Sequence, residues 1–321
     1  MSESRSEVEE LKRSFVLALR KNAKRPGSST TSINVINFLR KIILLEKVKT
    51  ITELLASLHN HAKFLSAVEP TELIMVNIVL MTSKLARDEL NKKNGLSNHR
   101  AYDSLFTICK QSEPTDMKDA DMKKIKKDLI ESIRELTTEI DSCRESIAAQ
   151  SSDLIFNQDV VMVYQLDTSK TLDSFLAKSR EANRKYRVFN VIPESKTEEL
   201  NDFTSSIRLH DVAAKMCETT KVVLTCIAVF PDGSCLVPAG SQSIALAAKR
   251  HSVPVYVLAP FYKIVPFFIP DPCHVEILQP AFDLLDSQYI FQFVSNSSCI
   301  IPAHINRLKE DYYHPEDIAL Y

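Results

Sequence analysis

From Val8 to Ile147 apolar residues return every three or four positions: Phe15, Val16 and Leu19, then Ile33, Ile36, Leu39, Ile42 and Ile43, then Ile51, Leu54, Leu55 and Leu58. That period gathers them on one stripe of successive amphipathic helices. "RPGSSTTS" supplies a break followed by candidate N-caps. "VEPTEL" supplies another, with a Thr cap ahead of the run Leu73 to Leu85. "NKKNGLSNHR" and "KQSEPTDMKDAD" are polar and turn-rich and read as loops. Beyond them Ile125, Leu129, Ile133, Leu136, Ile140 and Ile147 share one face of a long helix, expected to bridge two domains.

After Ser151 the period shortens. "DVVMVYQ", "YRVFNVI", "TKVVLTCIAVF" and "VPVYVLAP" read as strands, with helices at "KTLDSFLAKSREANR" and "SQSIALAAKRH" between them. This alternation demands right-handed crossovers and a mainly parallel, covered sheet. The predicted fold is therefore α+α/β: an N-terminal helical domain over 1–150, including the bridging helix, and a Rossmann-like α/β domain over 151–321.

With 321 residues, 45% of them apolar, the chain can bury two cores. Its 40 basic and 41 acidic residues give no global pull toward nucleic acid or membrane, so a partner must be recognised locally. "MSESRSEVEELK" lacks the apolar core of a secretory signal, and a cytosolic location is expected. "VPVYVLAPFYKIVPFFIP" is interrupted by prolines and Lys263, so no membrane-spanning segment is expected. The seven cysteines (Cys109, Cys143, Cys217, Cys226, Cys235, Cys273 and Cys299) show no C-x-x-C spacing and read as free, mostly buried thiols. His59 and His61 lie two apart on a helix and diverge, which argues against a metal site.

Chemistry has few candidates. In "PAGSQSIALAAK" Gly240 could let the backbone approach a phosphate, and Ser241 or Ser243 could cap the following helix. One glycine is a far weaker signal than G-x-G-x-x-G, and a plain capped helix is the preferred reading. Cys217, Cys226 and Cys235 have no basic partner that the sequence places beside them and read as inert. Asp211 reads as an N-cap. The six basic residues of "LKRSFVLALRKNAKR" read as a solvated helix face rather than a nucleic-acid site, because no aromatic or Gly-rich RNA motif accompanies them.

Several stretches together carry a resemblance. "SIALAAKRHSVPVYVLAP" resembles the helix–strand segment shared by the regulatory alpha, beta and delta subunits of eukaryotic translation initiation factor 2B and their sugar-phosphate isomerase relatives. "FDLLDSQYIFQFVSN" is similar to that family's D-x-x-P-x-x-L-I-x-x-F-x-S-N region, and "RLKEDYYHPED" to the closing Y-H-P-D-D of its beta branch. "GSSTTSINVINFLRKII", "AVEPTELIMVNIVLMTSKLARDEL" and "DLIESIRELTTEIDSCRESIAAQ" resemble three successive helical blocks, so the similarity runs from about Leu11 to Leu320.

The resemblance implies a non-catalytic regulatory subunit of a guanine-nucleotide exchange factor. Its implied partners are the delta, gamma, epsilon and alpha subunits and the alpha subunit of translation initiation factor 2. It implies no cofactor, no metal, and no direct contact with nucleic acid or membrane. The alternatives are an alpha or delta subunit, or an isomerase-like enzyme.

Isomerase relatives carry a catalytic Cys after one strand and a catalytic Asp in G-A-D after another. Here "VVMVYQLDTSKT" has no Cys, and Ile227 stands at the place of the Asp. No catalytic residue is expected, and Gly240 and Ser241 are read as a vestigial phosphate pocket. "VNIVLMTSKLARDE" keeps Asn77, Lys84, Arg87 and Glu89, which the resemblance places against the substrate protein, while Leu80 and Met81 or their neighbours replace paired arginines. "DLIF", Asp153 to Phe156, replaces the family's E-H-I-H. Phe282, Tyr289, Phe291 and Phe293 are expected at the centre of a subunit interface, where aromatic anchors concentrate. The helical cleft is expected to read a phosphorylated serine.

Overall fold

A computed structural model describes residues 2–21, 27–93, 119–193, 204–268 and 281–319. The expected loops between 94 and 118, with Cys109, and the segment holding Cys273 lie outside the described residues. The helical pattern folds as α1 (Ser2–Lys21), α2 (Ser28–Leu45), α3 (Ile51–Val68), α4 (Leu73–Lys93) and α5 (Asp119–Ala149). The apolar stripes form the core: Val35, Leu39 and Ile42 of α2, Leu54, Leu58 and Leu65 of α3, and Leu129 and Ile133 of α5 are all buried. Helix α4 is different. Every residue from Ile74 to Ser83 is buried, which makes its first half the centre of the helical unit rather than one of its faces.

Helix starts follow the sequence only in part. Thr50 caps α3 by accepting from the Glu53 N–H at 3.2 Å, while the Glu53 carboxylate accepts from the Lys49 N–H at 2.8 Å. The candidate caps of "RPGSSTTS" do not act as such. Gly27 is the N-cap of α2, and the Ser32 hydroxyl bonds back to the Ser28 carbonyl within the helix.

Among its described residues the second half builds ten strands: β1 (Val160–Tyr164), β2 (Arg187–Ile192), β3 (Thr204–Arg208), β4 (Lys221–Thr225), β5 (Ala228–Val229), β6 (Cys235–Pro238), β7 (Val255–Leu258), β8 (Phe282–Leu285), β9 (Gln292–Val294) and β10 (Cys299–Ile300). Seven form one sheet in the order β10-β9-β7-β4-β1-β2-β3, parallel throughout except for β10 on β9. Both faces need cover, which is why β1, β7 and the middle of β4 are continuously apolar. Around the sheet run α6 (Lys170–Glu181), α7 (Ser241–Arg250) and α8 (Ile305–Tyr312), while the short helix α9 (Pro315–Ala319) groups with the helical unit.

The run "TKVVLTCIAVF", read as one strand, is two. The Ile227 N–H donates to Leu236 at 2.7 Å, and β5 leaves the large sheet to join β6 and β8 in a small antiparallel one.

The chain divides into two compact units, Met1–Ile140 with Tyr312–Tyr321, and Asp141–Asp311. The division falls inside α5. The last ten residues group with the helical unit, a correction to the expectation that the α/β domain runs to 321. Among the described residues no helix is long and apolar enough to cross a membrane.

Candidate functional site

In a sheet of this topology the chain goes one way from β1 to β3 and the other way from β4 onward, leaving a crevice beyond the carboxyl ends of β1 and β4. The residues that follow those strands are Gln165 after β1 and Cys226 and Ile227 after β4. Gln165 and Ile227 offer neither a nucleophile nor an acid. Cys226 is fully buried, and burial pushes its thiol up to about 11, which leaves almost no thiolate at neutral pH. Its carbonyl accepts from the Lys263 ammonium at 2.6 Å.

The phosphate-loop candidate borders the same unit. Gly240 has φ +99°, a left-handed conformation that favours glycine, and is the N-cap of α7. Neither serine caps the helix: Ser241 Oγ is buried without a partner, and Ser243 is exposed. The cap comes instead from β8. Pairing of Val237 with Asp283 brings that carboxylate to the turn, where Asp283 Oδ2 accepts from the Gly240 N–H at 2.7 Å and the Gln242 N–H at 3.1 Å. An internal anion thus occupies the donors that a phosphate would use, and its charge opposes a second anion there. The Tyr164 hydroxyl donates to the Ala239 carbonyl at 2.6 Å and fills the space beside Gly240. Asp211, expected as an N-cap, makes no capping bond and lies exposed beside His210.

The four α4 residues expected to face a protein partner are placed very differently. Asn77 is fully buried and offers no surface, a correction that follows from α4 being central at that level. Glu89 is turned inward, accepting from Ser132 Oγ at 2.9 Å and the Lys92 ammonium at 2.6 Å. Arg87 is engaged by the end of the chain, with Nη2 2.8 Å from Asp317 Oδ1, Nε 3.1 Å from Asp317 Oδ2 and Nη1 2.6 Å from Glu316 Oε2. Lys84 is half-buried one turn earlier. The two histidines of "HNH" diverge as expected: His59 Nδ1 meets the Leu55 carbonyl at 2.8 Å, and His61 Nε2 meets Glu46 at 3.0 Å.

Beside this cluster, burial and the Arg87 guanidinium hold His314 below the usual histidine range, and its Nδ1 accepts from the Glu316 N–H at 3.3 Å. A base whose folded pKa is lowered leaves stability intact above its unfolded value and loses it as pH falls through the folded one. Stability is therefore expected to decline below about pH 6.5. The decline should be shallower in His314→Asn, as thermal melts of both proteins across pH 5 to 7.5 would show.

The aromatic set also divides. Phe293 is fully buried between β7 and β10, so its expected place at a subunit interface is corrected to the sheet core. Phe291 is 54% exposed and packs edge-on against Tyr256, ring centroids 5.6 Å apart. Tyr289 and Phe282 are half-buried, Tyr289 beneath the Lys249 ammonium.

Comparison with known proteins matches residues 24–197 and 204–284 to the Initiation factor 2 subunit family. Translation initiation factor eIF2B subunit beta of Dictyostelium discoideum is 25% identical, the match covering 95% of each chain. A ribose 1,5-bisphosphate isomerase of Pyrococcus furiosus is also 25% identical, over 60% of this chain and 69% of that one. Among solved structures, eIF2B beta from Chaetomium thermophilum has the same fold, with a TM-score of 0.78 at 22% identity over 97% of this chain and 94% of that one. The tetrameric eIF2B-beta2-delta2 complex of that organism gives 0.75 at 20% identity, covering 95% of each chain.

Proposed function

The chain belongs to the Initiation factor 2 subunit family, and from that premise we propose that it is a beta-type regulatory subunit of the guanine-nucleotide exchange factor for translation initiation factor 2. It performs no chemistry itself. The observation that carries this reading is the crevice beyond β1 and β4, where Gln165 and Ile227 stand at the places of a nucleophile and an acid and Asp283 takes the anion donors of α7. The relative that spans 95% of the chain at both ends of the comparison is a beta subunit, and the ending "YYHPED" agrees with it. On this reading a delta subunit pairs with the α/β unit, while gamma, epsilon and alpha subunits complete the assembly. Phosphorylated substrate shifts the balance between two assembly states, a coupling between sites rather than a catalytic step.

The test is native mass. The chain co-expressed with delta, gamma and epsilon subunits is expected to enter a mixed assembly, and the purified chain is expected to leave ribose 1,5-bisphosphate unchanged. A self-contained homodimer that ignores those partners and turns over the sugar phosphate would overturn the reading.

A further inference from the structure

The helical unit is closed by residues that follow the α/β unit in the sequence. Arg87 and Asp317 are 230 positions apart, yet both belong to that unit. Tyr313 inserts its ring into the interior and Asp317 is fully buried. Asp317 receives the Arg87 guanidinium through Nε and Nη2, and its backbone carbonyl meets His59 Nε2 of α3 at 3.3 Å. Glu316, half-exposed, takes the third guanidinium donor. Guanidinium forks bind carboxylates in this side-on manner with more direction than a lysine can supply.

We propose that Tyr312–Ala319 is a strap that closes over α3 and α4, with Arg87 and Asp317 as its bolt. Arg87 is then a positioning residue: the face of α4 that carries Lys84 holds its shape because the strap is seated. The Arg87–Asp317 pair is also a place where the helical unit can be loosened without removing an apolar side chain. A five-residue helix forms few bonds of its own, so the Arg87 pair and the buried Tyr313 ring are what seat it. The bolt stands whether or not the exchange-factor reading does, because it is argued from contacts within the unit.

The experiment is amide hydrogen exchange on the full chain. Asp317→Asn keeps the shape of the side chain and removes the charge. It is expected to speed exchange in the strap and the adjoining turns of α3 and α4 by on the order of 100-fold. Glu316→Ala, which removes only the half-exposed partner, is expected to change it by less than about fivefold. The exchanged pair Arg87→Asp with Asp317→Arg is expected to recover part of the protection lost in either single variant. Unchanged exchange in Asp317→Asn would overturn the proposal, as would a charge-exchanged chain no better protected than Arg87→Asp alone. Should the exchanged pair fail to fold, Arg87→Lys serves in its place, since one ammonium cannot fill three donor positions. Wild-type protection in Arg87→Lys would equally overturn it.

Discussion

Gly240→Ala is expected to cost the α/β unit about 3 kcal/mol, and Tyr164→Phe in the same chain to return part of that loss. Two effects add. At φ +99° a side chain is strained, worth roughly 1–2 kcal/mol. The new Cβ also lands 2.8 Å from the Tyr164 hydroxyl and 3.3 Å from Leu209 Cδ2. Forcing an extra methyl into a packed site costs about 1–3 kcal/mol. The colliding atom is the hydroxyl itself, so Tyr164→Phe opens that space at the cost of its bond to Ala239, about 1 kcal/mol. Urea midpoints of the four proteins in this cycle should show the two substitutions coupled by about 1 kcal/mol in the favourable direction. Strict additivity would mean that Tyr164 does not fill the turn, and the occupied-crevice reading would lose one of its supports.

The parts of the molecule legible in the sequence are the local ones. Three- and four-residue spacing gives the helices because each stripe must find a core, and β-branched runs give the parallel strands because both sheet faces are covered. What escaped is non-local. Nothing near Gly240 announces that its cap arrives from β8, 43 residues onward. Likewise "YYHPED" reads as a family signature, with no hint that its acid reaches back to Arg87. Periodicity also says nothing about depth. Asn77, Arg87 and Glu89 lie on one helix, but the first is sealed in its buried half while the other two spend their charges on the chain's own groups. The residues that follow β1 and β4 were the exception. The resemblance put Ile227 at the place of the Asp and found no Cys in "VVMVYQLDTSKT", and Ile227 and Gln165 do follow β4 and β1 in the fold.

The largest effect on assembly is expected at Phe291, and the largest effect on folding two residues further on. Phe293 lies within β9, paired with Val257 on one side and Ile300 on the other, and is sealed from solvent. Phe293→Ala should therefore lose about 3–5 kcal/mol of stability through lost burial and the cavity left behind. Phe291 precedes the strand, held by its N–H to Val255 at 2.8 Å and by the edge of Tyr256, with more than half of its surface in water. A ring exposed yet fixed in place has little entropy left to lose on binding, which suits an interface anchor. Phe291→Ala is accordingly expected to change stability by less than about 1 kcal/mol. The same variant is expected to weaken pairing with a delta-type subunit by on the order of 100-fold, the scale of a single aromatic anchor. Sedimentation of each variant with that subunit, beside its denaturation curve, separates the two roles. If Phe291→Ala pairs as tightly as the parent chain, the aromatic segment is not the interface and the contact must lie elsewhere on the α/β unit. If it pairs weakly while melting normally, the exposed ring is what the partner covers, and Tyr256 with the bond to Val255 is what keeps that ring in position.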